Sequence, residues 1–302
     1  MIDRPGLVGF RIAATGSAGV DWNRLDETWA LANELDVFDA GWMSDHLSDA
    51  SVERGGPAFE SFTAAAALAH RFSGWVGIAV ASNTFRHPAV TAKAATVIDN
   101  VTGGRFVLGL GAGWHVGEHD AYGIPLPPPG ERFERLESGL RVISALFSSA
   151  AGEPDGVSLD DPFWPLDRAT NLPGPVRPGG PLIWLGVGKP RGIALAAQYA
   201  TGWPMPGNRP GDLAYFSEQR DRLLRALESA GRDSSEFTFA AQLAADSSFH
   251  LTEMRDLATA FILAGATHII LGLSATAAPE GLLRLATEVA EPLREAADRS
   301  MR

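Results

Sequence analysis

Eight short apolar runs, each followed by a longer amphipathic stretch, constrain this chain more than any other feature. The runs are Leu7–Ala13, Gly41–Ser44, Trp75–Ala81, Phe106–Leu110, Leu182–Val187, Gly202–Met205, Phe237–Ala244 and His268–Leu273. Most are apolar throughout, the pattern of parallel strands covered on both faces. Helical spacing fills the intervals. Arg24–Asp39 aligns Leu25, Trp29, Ala32 and Leu35; Phe59–Phe72 is alanine-rich; Pro88–Val101 opens with a proline suited to a first helical turn. Glu131–Phe147 aligns Phe133, Leu136, Leu140, Ile143 and Leu146, and Arg191–Ala200, Gly211–Ala230, Glu253–Leu263 and Pro279–Asp298 complete the set. This alternation predicts an α/β fold closed as a (β/α)8 barrel, one domain over residues 1–302.

One segment breaks the rhythm. Ser148–Gly180 is rich in Pro, Gly and Asp, carries Phe163 and Trp164, and shows neither period. It reads as an irregular insertion after the fourth helix. The net charge of −11 argues against a nucleic-acid partner, which needs a basic surface. It leaves room for a local cationic spot, and Lys93 and Lys189 are the only lysines among many arginines. The absence of cysteine excludes disulfides, thiolate metal ligands and a Cys nucleophile. The first ten residues hold no signal-peptide run, and no stretch approaches the roughly 18 apolar residues of a membrane span. The expectation is a cytoplasmic protein acting on a small organic molecule, away from membranes.

Barrels of this kind carry their chemistry at the C-terminal ends of the strands. Asp45-His46 follows the second run. An imidazole donates or accepts a proton near neutral pH, and an adjacent acid can hold its ring. The competing reading makes Asp45 a turn cap and His46 a packed rim residue. The third run ends in Ala79-Val80-Ala81-Ser82-Asn83, where Ser82 and Asn83 offer hydrogen bonds to a ring or side-chain oxygen; an ordinary strand end competes. His87 then opens a helix and reads as structural. The fourth run ends in Gly109-Leu110-Gly111-Ala112-Gly113-Trp114. This is not a GxGxxG turn, because Trp114 occupies the last glycine position. Gly111 and Gly113 read instead as close backbone approach to a flat ligand, with Trp114 walling the pocket.

His115-Val116-Gly117-Glu118-His119 fits the H-x-x-E-H pattern, in which two imidazoles hold zinc and Glu118 is the base. Gly117 weakens a rigid helix there and no third ligand segment is evident, so a solvated helical turn is favoured. Glu118 stays as a pocket contact. Gly186-Val187-Gly188-Lys189 precedes a helix whose first backbone N–H groups attract phosphate. Arg209, after the sixth run, is a second cation; a plain surface arginine competes. Arg11, Gln242, Phe10 and Ser274 are pocket-lining candidates without a role. Ser44, Asp45 and His46 are adjacent and cannot converge as a hydrolase triad.

The stretch from Arg86 to Gly113, RHPAVTAKAATVIDNVTGGRFVLGLGAG, has Trp42-Met43-Ser44-Asp45-His46 before it and Gly186-Val187-Gly188-Lys189-Pro190 after it. Together they resemble the bacterial-luciferase-like family, from about Val8 to about Leu273. The resemblance implies a TIM-barrel oxidoreductase that uses the deazaflavin coenzyme F-420, with reduced FMN as the alternative. With F-420 the reaction is hydride transfer to or from an organic substrate; with FMN and oxygen it is monooxygenation. The resemblance further implies Asp45 and His46 as catalytic residues, with His46 near the ring's reactive centre. It places a cis peptide between Ala79 and Val80 against the ring, beside Ser82, Asn83, Gly111 and Gly113. It sets the cofactor phosphate at Gly186, Gly188, Lys189 and Arg209, and Trp114 and Glu118 in the substrate pocket. Thr201 stands where family members often carry Asp, which leaves one structural hydrogen bond open. A homodimer is compatible with it. A zinc hydrolase through His115 and His119 and a non-catalytic flavin-binding protein remain as other classes.

Overall fold

The computed structural model describes residues 4–13, 21–48, 57–207, 209, 211–244, 250–274 and 277–300. All eight expected strands are present and close into one parallel barrel. They are β1 (Val8–Ala13), β2 (Ala40–Met43), β3 (Trp75–Ser82) and β4 (Phe106–Gly111), then β7 (Leu182–Leu185), β8 (Gly202–Pro204), β9 (Thr238–Ala244) and β10 (His268–Ser274). They follow one another around the barrel, and β10 pairs with β1. The surrounding helices are α1 (Trp22–Leu35), α2 (Ser61–Leu68), α3 (Pro88–Thr102), α4 (Val116–Tyr122), α5 (Pro129–Phe147), α6 (Pro190–Tyr199), α7 (Leu213–Ser229) and α8 (Leu251–Leu263). The last helix starts as α9 (Glu280–Leu285), passes through a π turn at Ala286–Ala290 and continues as α10 (Glu291–Ser300). Among the described residues no helix is long and apolar enough to cross a membrane.

Helix ends follow local chemistry. Asp21 caps α1 by accepting from the Asn23 N–H, and Glu60 caps α2 through Phe62 and Thr63. His87 accepts from the Ala89 N–H at the start of α3, which confirms it as structural.

The insertion is not structureless. It opens with a 3-10 turn at Ser149–Gly152 and holds a small antiparallel pair, β5 (Val157–Leu159) with β6 (Leu166–Ala169). Strands of three and four residues are too short to display an alternating pattern in sequence. Asp161 ties the segment to α5. Its buried carboxylate accepts from the Ser138 hydroxyl, from Arg141 at 2.7 Å, and from the N–H groups of Phe163 and Trp164. Burial opposes ionisation, but these donors outweigh it and hold the acid down at about 2.

The strands divide the core in two. Outward residues pack on helices: Phe10 meets Trp29, Phe38 and Phe72 edge-on at 5.2–5.4 Å. Phe10 therefore does not face the barrel interior. Inside, Trp42 and Trp184 lie 4.7 Å apart and His268 packs edge-on against both. The indoles need bare backbone beside them. A Cβ at Gly77 would stand 2.3 Å from Trp42, and one at Gly202 would stand 2.4 Å from Trp184. Fully buried His268 donates from Nδ1 to the Gly6 carbonyl at 2.5 Å and accepts from Trp42 Nε1 at 3.0 Å. Burial pushes this imidazole down to about 4, so it sits neutral.

Candidate active site

Residues after β2, β3 and β4 meet at the C-terminal mouth. Asp45 is buried and fully committed: Arg86 reaches it with two bonds of 2.8 Å, the Ser61 hydroxyl donates at 2.6 Å and the Ser82 N–H at 2.8 Å. This paired fork stitches β2, α2 and β3 together, and Arg86 also reaches Glu60 at 2.5 Å. The expectation that Asp45 orients the neighbouring imidazole is corrected, because its lone pairs are taken by donors on other elements. Asp45 positions the strand ends instead.

Glu118 of α4 holds the imidazole. It is 1% exposed, lies 2.8 Å from His46 Nδ1, and accepts from the N–H groups of Leu47 at 2.7 Å and Ser48 at 3.2 Å. That environment corrects the reading of Glu118 as a ligand contact: its carboxylate is covered by its own chain. His46 Nδ1 donates to Glu118, and Nε2 has no hydrogen-bond partner among the described residues. About a third of the side chain is open. Trp114, 63% exposed, stands edge-on 6.1 Å from this ring. The short α4 exists because His115 caps its start by accepting from the Glu118 N–H and Gly123, at φ 65°, ends it.

The zinc arrangement does not form. His115 Nδ1 accepts from backbone, while His119 Nδ1 donates to the His115 carbonyl and His119 Nε2 accepts from the Thr84 hydroxyl, each at 2.7 Å. Among the described residues no group of three or more metal-ligating side chains converges. Thr84 links onward to the Ser82 hydroxyl at 2.7 Å. This relay escaped the sequence reading, which gave no signal for Thr84. Asn83 belongs elsewhere: it is buried against Gly139 of α5, where a Cβ would stand 2.5 Å from its Oδ1.

The peptide joining Ala79 to Val80 is cis, and the register of β3 with β4 shifts between Ile78 and Ala81. Val80 lies among the strand-end glycines. A Cβ would stand 2.9 Å from its side chain at Gly111 and 3.0 Å at Gly186. At Gly113, φ is 84° and a Cβ would stand 2.4 Å from the Thr84 hydroxyl. Each of these glycines thus has a reason inside the chain itself, independent of any flat ligand.

The turn after β7 meets the loop after β8 through Tyr215 of α7. A Cβ at Gly188 would stand 2.1 Å from the Tyr215 hydroxyl, and the Arg209 guanidinium lies 4.4 Å over the Tyr215 ring. Arg209 also pairs with Asp212 at 3.1 Å. Lys189 is exposed at the start of α6 and makes no side-chain cap, so the first N–H groups of that helix keep no side-chain partner. Arg191 turns toward Glu134 and Glu137 of α5. Part of the loop after β2, residues 49–56, lies outside the described residues.

Comparison with known proteins agrees with the barrel fold. Residues 6–300 match the family model for luciferase-like monooxygenases. A phthiodiolone/phenolphthiodiolone dimycocerosates ketoreductase of Mycobacterium sp. (strain JLS) is 30% identical over 246 residues, 75% of this chain and 61% of that protein. An F-420-dependent glucose-6-phosphate dehydrogenase of Microbacterium testaceum is 30% identical over 212 residues, 70% of this chain and 60% of its own length. The chain thus spans about three fifths of these curated relatives. A monooxygenase structure from Streptomyces bottropensis superposes with a TM-score of 0.76 at 19% identity, covering 96% of this chain and 99% of that one.

Proposed function

The chain belongs to the luciferase-like monooxygenase family, and on that premise we propose that it is an oxidoreductase working with coenzyme F-420 on an organic carbonyl or alcohol. The observation that carries the reading is His46: its ring is fixed by Glu118 through Nδ1, about a third of the side chain is open, and Nε2 has no protein partner among the described residues. Two relatives, a ketoreductase and an F-420-dependent dehydrogenase, support the same direction.

The residues present fit such a cofactor. The uncapped start of α6, Lys189 and Arg209 supply donors and positive charge for a phosphate near Gly186 and Gly188. The cis-linked Ala79–Val80 segment, Ser82, Gly111 and Gly113 would border the ring, and Trp114 would close one side. When bound, the deazaflavin gives or takes a hydride at a substrate carbon. That transfer leaves one proton to be placed on, or removed from, the substrate oxygen. His46 Nε2 is the group for it: the imidazole accepts the proton in alcohol oxidation, and the imidazolium returns it in carbonyl reduction. Glu118 keeps Nδ1 engaged as a hydrogen-bond donor in both directions, so Nε2 is the nitrogen left to exchange a proton with the substrate. Asp45 and Arg86 hold the strand ends from which His46 and Ser82 project.

The test is titration with F-420 and with FMN, each oxidised and reduced, followed by turnover of a ketone panel. The expected result is preferred binding of F-420, with His46→Ala lowering turnover about 10²–10⁴-fold at little change in cofactor affinity. Arg209→Ala should weaken F-420 only about fivefold, because this half-exposed arginine already shares its charge with Asp212. Exclusive binding of reduced FMN, with oxygen consumed on substrate addition, would replace the reading with the monooxygenase alternative.

A further inference from the structure

The barrel contains a cation that the chemistry above does not use. Gly9 on β1 faces inward, since a Cβ there would stand 2.5 Å from Trp42 and 2.7 Å from His268. Two residues further along, Arg11 has the same orientation, one layer closer to the mouth. In register beside it on β10 is Gly272, which presents no side chain. Arg11 crosses that gap and donates from Nη1 to Gln242 Oε1 on β9. Gln242 is 5% exposed and donates in turn to the Met205 carbonyl, which fixes its amide oxygen toward Arg11.

Among the described residues no carboxylate answers this charge. Among the described residues Arg11 has no ion pair, and its Nε is buried without an acceptor. Burial lowers its guanidinium to about 10. The residue as a whole is nevertheless only half-buried. An interior cation without a counter-charge is costly, and a planar guanidinium matches a carboxylate-type group through two parallel bonds. We infer that Arg11, held by Gln242, is a receptor inside the barrel for a delocalised oxyanion of the bound ligand. That oxyanion is either a carboxylate on the organic substrate or the anionic ring edge of the reduced cofactor. The inference rests on the reading of the barrel mouth as the site, not on F-420 in particular.

Three measurements test it on the intact protein. Binding of benzoate alone, followed by calorimetry without any cofactor, should be lost in Arg11→Met. The KM of a keto acid should lie roughly ten- to a hundredfold below that of its methyl ester if the oxyanion is the substrate's, and Arg11→Met should erase the difference. If the oxyanion is the cofactor's, Arg11→Met should instead weaken the reduced form by a similar factor and leave the oxidised form unchanged. Gln242→Glu keeps the arginine and supplies an internal partner, so it should abolish the same preference while raising thermal stability. This second variant keeps the test readable if Arg11→Met fails to fold. Failure of F-420 to bind would overturn the cofactor reading and leave the benzoate result standing. Wild type and both variants alike in all three measurements would overturn the inference.

Discussion

Replacing Glu118 with Gln isolates what a carboxylate does beneath His46. In the native arrangement Oε1 accepts from Leu47 and Ser48, and Oε2 takes the Nδ1 proton at 2.8 Å. Glutamine has nearly the same shape. Its one oxygen suits the two backbone N–H groups, which leaves its NH2 facing His46. Nδ1 must then accept, and the ring proton moves to Nε2. Two costs follow. Charge-assisted bonds become neutral, about 1 kcal/mol for each of the two strongest, so stability should fall by about 2 kcal/mol. The tautomer is also wrong: Nε2 can no longer take a proton, and no carboxylate stabilises the imidazolium. Turnover should therefore fall about 10²–10⁴-fold while cofactor affinity and KM move little. Nitrogen NMR of labelled histidine reads the tautomer directly, steady-state kinetics split kcat from KM, and urea unfolding gives the stability change. A folded Glu118→Gln protein whose His46 keeps its proton on Nδ1, or whose kcat stays within a few-fold of wild type, would refute the reasoning.

Other consequences follow from the interior. His268 is neutral when folded, at about 4, against 6.5 in the unfolded chain, so stability is full above pH 6.5 and is lost as pH falls toward 4. Urea titrations at pH 7 and pH 4.5 should show an acid loss of about 2 kcal/mol that His268→Gln largely removes. Gly77→Ala drives a methyl to within 2.3 Å of Trp42 and should cost about 1–3 kcal/mol or more, visible as a lowered Tm. Asp161→Ala removes the acceptor that fastens the insertion to α5, leaving Ser138 unanswered and Arg141 without its buried acid. Hydrogen exchange should rise across 148–180 first, and turnover should fall less than in Glu118→Gln.

The barrel was readable because each strand is buried on both faces, so hydrophobicity alone marks it. Boundaries were less so. The second helix runs only from Ser61 to Leu68, and the last is interrupted by a π turn that the apolar stripe does not reveal. At the mouth, Asp45 and His46 were found by their place after a strand, but their partners were not. Arg86 is 41 residues from Asp45 and Glu118 is 72 from His46, separations at which single-sequence patterns carry no pairing information. Adjacency in sequence suggested that Asp45 serves His46; the geometry of the strand end sends the two side chains to different partners. The glycines at positions 111 and 186 announced a close approach without saying what approaches, and it is Val80. The bond between Ala79 and Val80 was legible only through family resemblance, since nothing in its neighbours requires it.

The stacked pair of Trp42 and Trp184, with His268 against both, also sets an order of traffic. Among the described residues these rings fill the barrel interior one layer below Arg11, and Trp114 and His46 stand at the C-terminal mouth. Whatever settles on Arg11 must enter before anything that settles above it, and must wait for that later arrival to leave. Entry through that mouth should make binding sequential, first in and last out. Inhibition by excess of the second reactant should then be stronger than inhibition by excess of the first, because only the second can trap a finished product below it.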